Sequence, residues 1–112
     1  MELLVETVED IHIVHIRGRL DLTGVSELTD RADGLMTLGA TKIVMDCRDL
    51  QYVSSSGLGA FIGIAKKLGP DGKLVFAAMN QHVQNVFEMT GIANLFEISG
   101  SKEAAVRSLS AV

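Results

Sequence analysis

Two apolar runs, Ile43-Val44-Met45 and Leu74-Val75-Phe76-Ala77, constrain this chain more than any other feature. Neither alternates with polar residues, so each reads as a strand covered on both faces, the pattern of a central strand between two layers. Between them Leu58, Phe61, Ile62, Ala65 and Leu68 recur on one helical face, and Gly69-Pro70-Asp71-Gly72 is a turn cluster. Strand, helix and strand in that order form a crossover unit, which makes the strands parallel and the connection right-handed.

The remaining segments arrange themselves around this unit. Leu3 to Val8 and Ile11 to Arg17 are rich in Val, Ile and Leu and flank the charged pair Glu9-Asp10, so they read as an antiparallel hairpin that Gly18 ends. Val25, Leu28, Ala32, Leu35 and Met36 follow at helical spacing, with Asp21 or Thr23 as the cap and Gly39 as the stop. Leu50-Gln51-Tyr52-Val53 leads from the Lys42 to Cys47 strand into three successive serines, within or just after which the second helix starts. Asn80 caps a third helix whose apolar face is Val83, Val86 and Phe87, and Gly91 suits the left-handed position beyond it. Leu95 to Ile98 is a short strand, and Ser101 caps a last helix that offers Ala104, Ala105, Val106 and Leu109 for packing. The expectation is an α/β fold: a mixed β-sheet with an antiparallel N-terminal hairpin, later strands parallel, and about four helices. No linker, low-complexity tract or internal repeat divides residues 1–112, which are expected to form a single domain.

Charge and composition narrow the function. Fourteen acidic against ten basic residues give a net charge of -4, which argues against nucleic acid as a partner. With no Trp and one Tyr, Tyr52, the chain has few platforms on which bases or sugars could stack. The Gly57 to Ala65 stretch is far shorter than the ~20 residues of a spanning helix, so no direct membrane insertion is expected. The opening lacks a charged and apolar leader pattern, and the single Cys47 cannot form an internal bridge, so the cytoplasm is the expected location.

The one unusual local feature is Ser54-Ser55-Ser56 before Gly57-Leu58-Gly59. Three hydroxyls at the mouth of a helix exceed what capping needs, and a helix N-terminus favours an anion such as a phosphoryl group. Other chemistries fit poorly. A hydrolase elbow centred on Ser55 would need glycine where Val53 stands, and only His82 follows as a base. Gly57, Gly59 and Gly63 miss dinucleotide-loop spacing by one position, because Ile62 occupies the third glycine's place; such glycines more often let a helix approach its sheet. Gly72-Lys73 is followed by Leu74, which excludes a P-loop. His12 and His15, three apart on a strand, face opposite sides, and Asp46 and Asp49 lack the acidic pair after the first strand that a receiver-type site requires. Cys47 reads as a small buried residue, and Met36, Met79 and Met89 as core filler. Neither a metal nor another cofactor is expected.

Taken together, Gly18-Arg19-Leu20-Asp21, Ile43 to Leu50, Tyr52-Val53-Ser54-Ser55-Ser56-Gly57-Leu58-Gly59, and Val86 to Ile92 with Leu95-Phe96 resemble the STAS domain, the fold of bacterial anti-sigma factor antagonists. The resemblance runs nearly end to end. It implies that Ser55, two places before Gly57, is a regulatory phosphorylation site, with Ser56 and Ser54 as alternatives. It further implies a partner-binding surface of Asp21, Ser54, Ser56, Gly57 and Leu58, extended along the second helix to Lys66 and Lys67. The implied partners are an anti-sigma factor serine/threonine kinase and a metal-dependent Ser/Thr phosphatase, in a partner-switching cycle without catalysis by the chain itself. A STAS interaction subunit in another assembly, such as a transporter, secretion or biofilm controller, is the alternative.

Overall fold

Val44 and Val75 pair side by side in parallel near the middle of a six-stranded sheet. The computed structural model describes residues 1–110. In chain order the elements are β1 (Glu2–Val8), β2 (Ile11–Leu20), α1 (Leu22–Thr37), β3 (Lys42–Asp46), β4 (Leu50–Val53), α2 (Ser55–Leu68), β5 (Lys73–Ala77), α3 (Gln81–Met89), a 3-10 turn (Ile92–Asn94), β6 (Glu97–Ser99) and α4 (Lys102–Ser110). The strand order is β1-β2-β3-β5-β6, with β4 beside the far end of β2. Only β1 is antiparallel to its neighbour. The expected mixed sheet and four helices are therefore present.

Both central strands are apolar throughout because both faces are covered. Ile43, Met45, Leu74 and Phe76 face a core with Leu28, Ala32, Phe61, Ile64, Val83 and Phe87 from α1, α2 and α3. Val44, Val75 and Ala77 face the other way and pack with Ile11 and Ile13 under Ala105 and Leu109 of α4. The chain's four phenylalanines converge on Phe76: the rings of Phe61, Phe87 and Phe96 lie 4.9, 5.1 and 5.0 Å from it, tilted toward edge-on contact. Such pairs add about 0.5–1.5 kcal/mol each beyond the area they bury.

Several local expectations are corrected. Gly18 does not end β2. It sits at φ +97° where the register shifts, and its N–H donates to the Asp49 carbonyl at 2.9 Å. The strand thereby leaves β3 and continues beside β4, a strand too short to show any periodicity of its own. The last strand begins at Glu97 rather than Leu95, because the chain from Gly91 first makes the 3-10 turn. Met36 and Met79 pack against the core as expected, but Met89 is 86% exposed at the end of α3.

The glycines of α2 also divide. A Cβ on Gly57 would lie 2.9 Å from both Leu20 Cγ and Val53 Cγ2, whereas at Gly59 and Gly63 it would meet nothing within 4 Å. Only Gly57 lets the helix approach the sheet. Gly57→Ala is therefore expected to destabilise the domain by about 1–3 kcal/mol through overpacking. Gly59→Ala is expected to stabilise it by roughly 0.5–1 kcal/mol through helix propensity. Urea denaturation midpoints of the two variants should move in opposite directions from the wild type; a shift of both in the same direction would contradict this assignment.

Candidate functional site

The serine loop is held at three points. The Ser54 N–H donates to the Leu20 carbonyl at 2.9 Å, tying the loop to the end of β2. Ser54 itself is extended, φ -86° and ψ 172°, and its Oγ accepts from the Gly57 N–H at 3.1 Å. Its carbonyl accepts from Leu58 N–H at 3.0 Å, which begins the helical ladder. Ser54 is thus the N-cap of α2 and has structural work to do.

Ser55 differs. It is the first residue of α2 and is exposed, and its hydroxyl makes no hydrogen bond among the described residues. Ser56 is half-buried and its hydroxyl is likewise unengaged among those residues. The first backbone N–H groups of a helix lack intrahelical acceptors, so those of Ser55 and Ser56 lie at the positive end of the α2 dipole. No acidic side chain occupies the first turn of α2. The arrangement suits an added anion on Ser55 and leaves Ser54 to hold the helix.

The other expected surface residues fall into two groups. Gly57 and Leu58 are buried, so they shape the loop and offer no docking surface of their own. Asp21 caps α1: its Oδ1 accepts from the Thr23 hydroxyl at 2.6 Å and from the Thr23 N–H at 3.1 Å. The Thr23 hydroxyl, with smaller help from the backbone N–H and Arg19, holds the Asp21 carboxyl below its ordinary range. Asp21 borders the loop because the residue before it, Leu20, carries the carbonyl that accepts from Ser54. Of the two lysines ending α2, Lys67 is paired with Asp33 of α1 at 2.9 Å, and only Lys66 is without a carboxylate partner among the described residues.

Two arrangements here were not foreseen from the sequence. The Arg19 guanidinium lies 4.1 Å over the centre of the Tyr52 ring, and the two residues are register partners of β2 and β4. Three residues after Arg19, Leu22, the first residue of α1, is 74% exposed. The only advance signal would have been the β2–β4 pairing, which the bulge at Gly18 conceals.

A second polar cluster joins β1, β2, β3 and α4. His15 Nδ1 is 2.7 Å from Asp46 Oδ2 and its Nε2 is 2.7 Å from Glu6 Oε1. Lys102 Nζ donates to that same Glu6 oxygen at 3.0 Å. The Lys102 hydrogen bond first, then that of His15, holds the Glu6 carboxyl below its ordinary range. Asp46 Oδ1 accepts from the Arg48 N–H at 3.1 Å, so the cluster also shapes the loop leaving β3. His12 turns the other way toward Thr7 Oγ1, 3.2 Å from its Nδ1. Cys47 is fully buried, and burial, reinforced by Asp46, pushes its thiol far up. A buried thiol in that state is no nucleophile.

The division between the serines can be measured directly. Ser54→Ala should cost about 1 kcal/mol of stability, the usual loss for a helix cap. Ser55→Ala should fall within about ±0.5 kcal/mol, as for a surface site without partners. Equal losses in the two variants would contradict the assignment of the cap to Ser54 alone.

Comparison with known proteins bears on the family and the fold. The family model described as the STAS domain matches residues 2–105. The anti-sigma-B factor antagonist of Staphylococcus epidermidis is 27% identical over 106 residues, covering 92% of this chain and 98% of that protein. Among solved structures, the anti-sigma factor antagonist SpoIIAA in its unphosphorylated form superposes with a TM-score of 0.77 at 19% identity, covering 99% of this chain and 100% of that one. The Bacillus cell fate determinant SpoIIAA in its phosphorylated form gives 0.76 at 20%, covering 96% and 99%. With a family model spanning almost the whole sequence and the same mixed sheet beneath it, the chain belongs to the STAS domain family.

Proposed function

We propose that the protein is an anti-sigma factor antagonist that works by partner switching, with Ser55 as the switch. In the unmodified state the serine loop and the outer face of α2 dock on an anti-sigma serine kinase, which then releases the target it holds. The kinase transfers the γ-phosphoryl group of ATP to Ser55 Oγ, with loss of the hydroxyl proton and release of ADP. A metal-dependent phosphatase hydrolyses the ester with water, restoring Ser55 and releasing inorganic phosphate. ATP as donor makes the cytoplasm the compartment of this cycle.

The observation that carries the reading is the uncommitted hydroxyl of Ser55, exposed at the mouth of α2 while its neighbour does the capping. Phosphorylating Ser54 would break the cap, and Ser56 is half-buried, so Ser55 is the serine whose modification disturbs the fold least. The Staphylococcus relative's name and the two forms of SpoIIAA supply independent support. A phosphoserine adds about -1.5 to -2 charges and three acceptor oxygens. The helix N-terminus solvates that group in the free domain, but against a partner it becomes a clash or an unpaired charge. A penalty of roughly 3–4 kcal/mol lowers affinity by two to three powers of ten.

The outer face of α2 supports the same surface. Gly59 and Gly63 stand there with open space around them, each at a helix-propensity cost of about 1 kcal/mol that no intramolecular packing repays. Their lack of side chains leaves the helix backbone open to close approach by the docked kinase.

Incubation with the cognate kinase and Mg-ATP should add one phosphate to the wild type, to Ser54→Ala and to Ser56→Ala, and none to Ser55→Ala, as read by intact-mass spectrometry. Full labelling of Ser55→Ala would move the switch to another serine. In calorimetric titration, Ser55→Glu should bind the kinase at least tenfold more weakly than wild type. Gly59→Ala should also bind more weakly although it is the more stable protein; unchanged affinity in that variant would remove the outer face of α2 from the interface.

A further inference from the structure

We propose that Arg19, held flat on Tyr52, is the specificity-determining residue of the docking surface and takes a carboxylate of the partner. The proposal rests on the partner-switching reading and names the chemistry by which the partner is chosen. Among the described residues Arg17, Lys42, Lys67, Lys73 and Lys102 each face a carboxylate within 4.0 Å, whereas Arg19, like Arg31, Arg48, Lys66 and Arg107, has none at that distance, and of these five only Arg19 is stacked on an aromatic ring. Its exposed guanidinium is fixed instead by the Tyr52 ring 4.1 Å away. The stacking restrains a long side chain before any partner arrives, so less rotamer freedom remains to be lost on binding. Such a guanidinium presents a planar fork of N–H donors matched to a carboxylate, a geometry that lysine cannot reproduce.

Its position connects it to the switch. Arg19 immediately precedes Leu20, whose carbonyl accepts the Ser54 N–H, and its ring partner Tyr52 lies two residues before Ser54. Asp21 already feels its charge. Beyond Asp21 in the chain, the exposed Leu22 adds apolar surface at the start of α1. Arginine and tyrosine are among the residues that dominate binding energy at interfaces. On a chain of net charge -4 this cation is also what draws an acidic partner edge to one place and orients it there. A phosphoryl group on Ser55, three residues after Tyr52, would add negative charge at the same end of the sheet and so oppose the approach of a partner's carboxylate to Arg19.

The test uses the purified kinase that labels Ser55, with affinities measured for wild type, Ser55→Glu, Arg19→Ala, Arg19→Lys, Tyr52→Phe and Tyr52→Leu. Arg19→Ala is expected to weaken binding at least tenfold with an unchanged thermal midpoint, and to reduce the dependence of affinity on salt. Arg19→Lys should recover less than half of that loss on a logarithmic scale. Tyr52→Phe, which keeps the ring, should stay within threefold of wild type, and Tyr52→Leu should weaken binding by more than that. Wild-type affinity in Arg19→Ala or in Arg19→Lys, while Ser55→Glu fails to bind, would overturn the role of Arg19 and leave partner switching intact. Wild-type affinity in Ser55→Glu would instead remove the reading on which the proposal stands.

Discussion

No side chain fits at position 57. A Cβ there would lie 2.9 Å from Leu20 on β2 and from Val53 on β4, so the first turn of α2 rests directly on the paired ends of those two strands. That close approach fixes the height and direction of the helix. With the helix set, Ser54 can accept from Gly57 while its own N–H donates to Leu20, and Ser55 becomes the first hydroxyl left over. A bulkier residue at 57 would tilt the helix away, and the cap, the loop and the surface around Ser55 would move with it.

Around that contact the structure separates what the fold needs from what a partner could read. Stability comes from the two apolar layers, the ring cluster on Phe76 and the caps at Asp21, Ser54, Asn80 and Ser101. The Glu6–His15–Asp46 cluster ties β1, β2 and β3 together, and Lys102 adds α4. None of these groups depends on the Ser55 hydroxyl. On the proposed partner-switching reading, a phosphate at Ser55 would cost the complex several kcal/mol while costing the free domain little, because the helix terminus offers it unpaired N–H groups and positive charge. On the same proposed reading, docking against the outer face of α2 would account for Gly59 and Gly63 at positions where alanine would give a better helix. What they subtract from the domain is roughly 0.5–1 kcal/mol each, small beside the effect of blocking a close contact.

Much of this was legible in the sequence, for identifiable reasons. Ile43-Val44-Met45 and Leu74 to Ala77 announce strands buried on both faces because nothing polar interrupts them, and Asn80 and Ser101 announce caps because each precedes an amphipathic run. The serine run marked the loop, and resemblance to a family singled out Ser55, but only hydrogen bonds separate the capping serine from the free one. The features that escaped are those set by tertiary register. β4 is four residues long and depends on a bulge at Gly18, so the Arg19–Tyr52 stack that this pairing creates leaves no trace along the chain. Glycine spacing in α2 suggested close packing everywhere, although the sheet is reached only at Gly57. Met89 looked like core filler because hydropathy does not report that α3 ends at the surface.

The central claim is that phosphorylation changes a surface and leaves the fold as it is. Its most direct test is a pair of amide NMR spectra, one of the unmodified domain and one of the domain carrying a single phosphate on Ser55. Resonance changes should be confined to the serine loop, the first turns of α2 and the Arg19 to Leu22 corner, with β3, β5 and α4 unmoved. Changes spread through those three elements would mean that the phosphate acts by rearranging the core, and would contradict the claim.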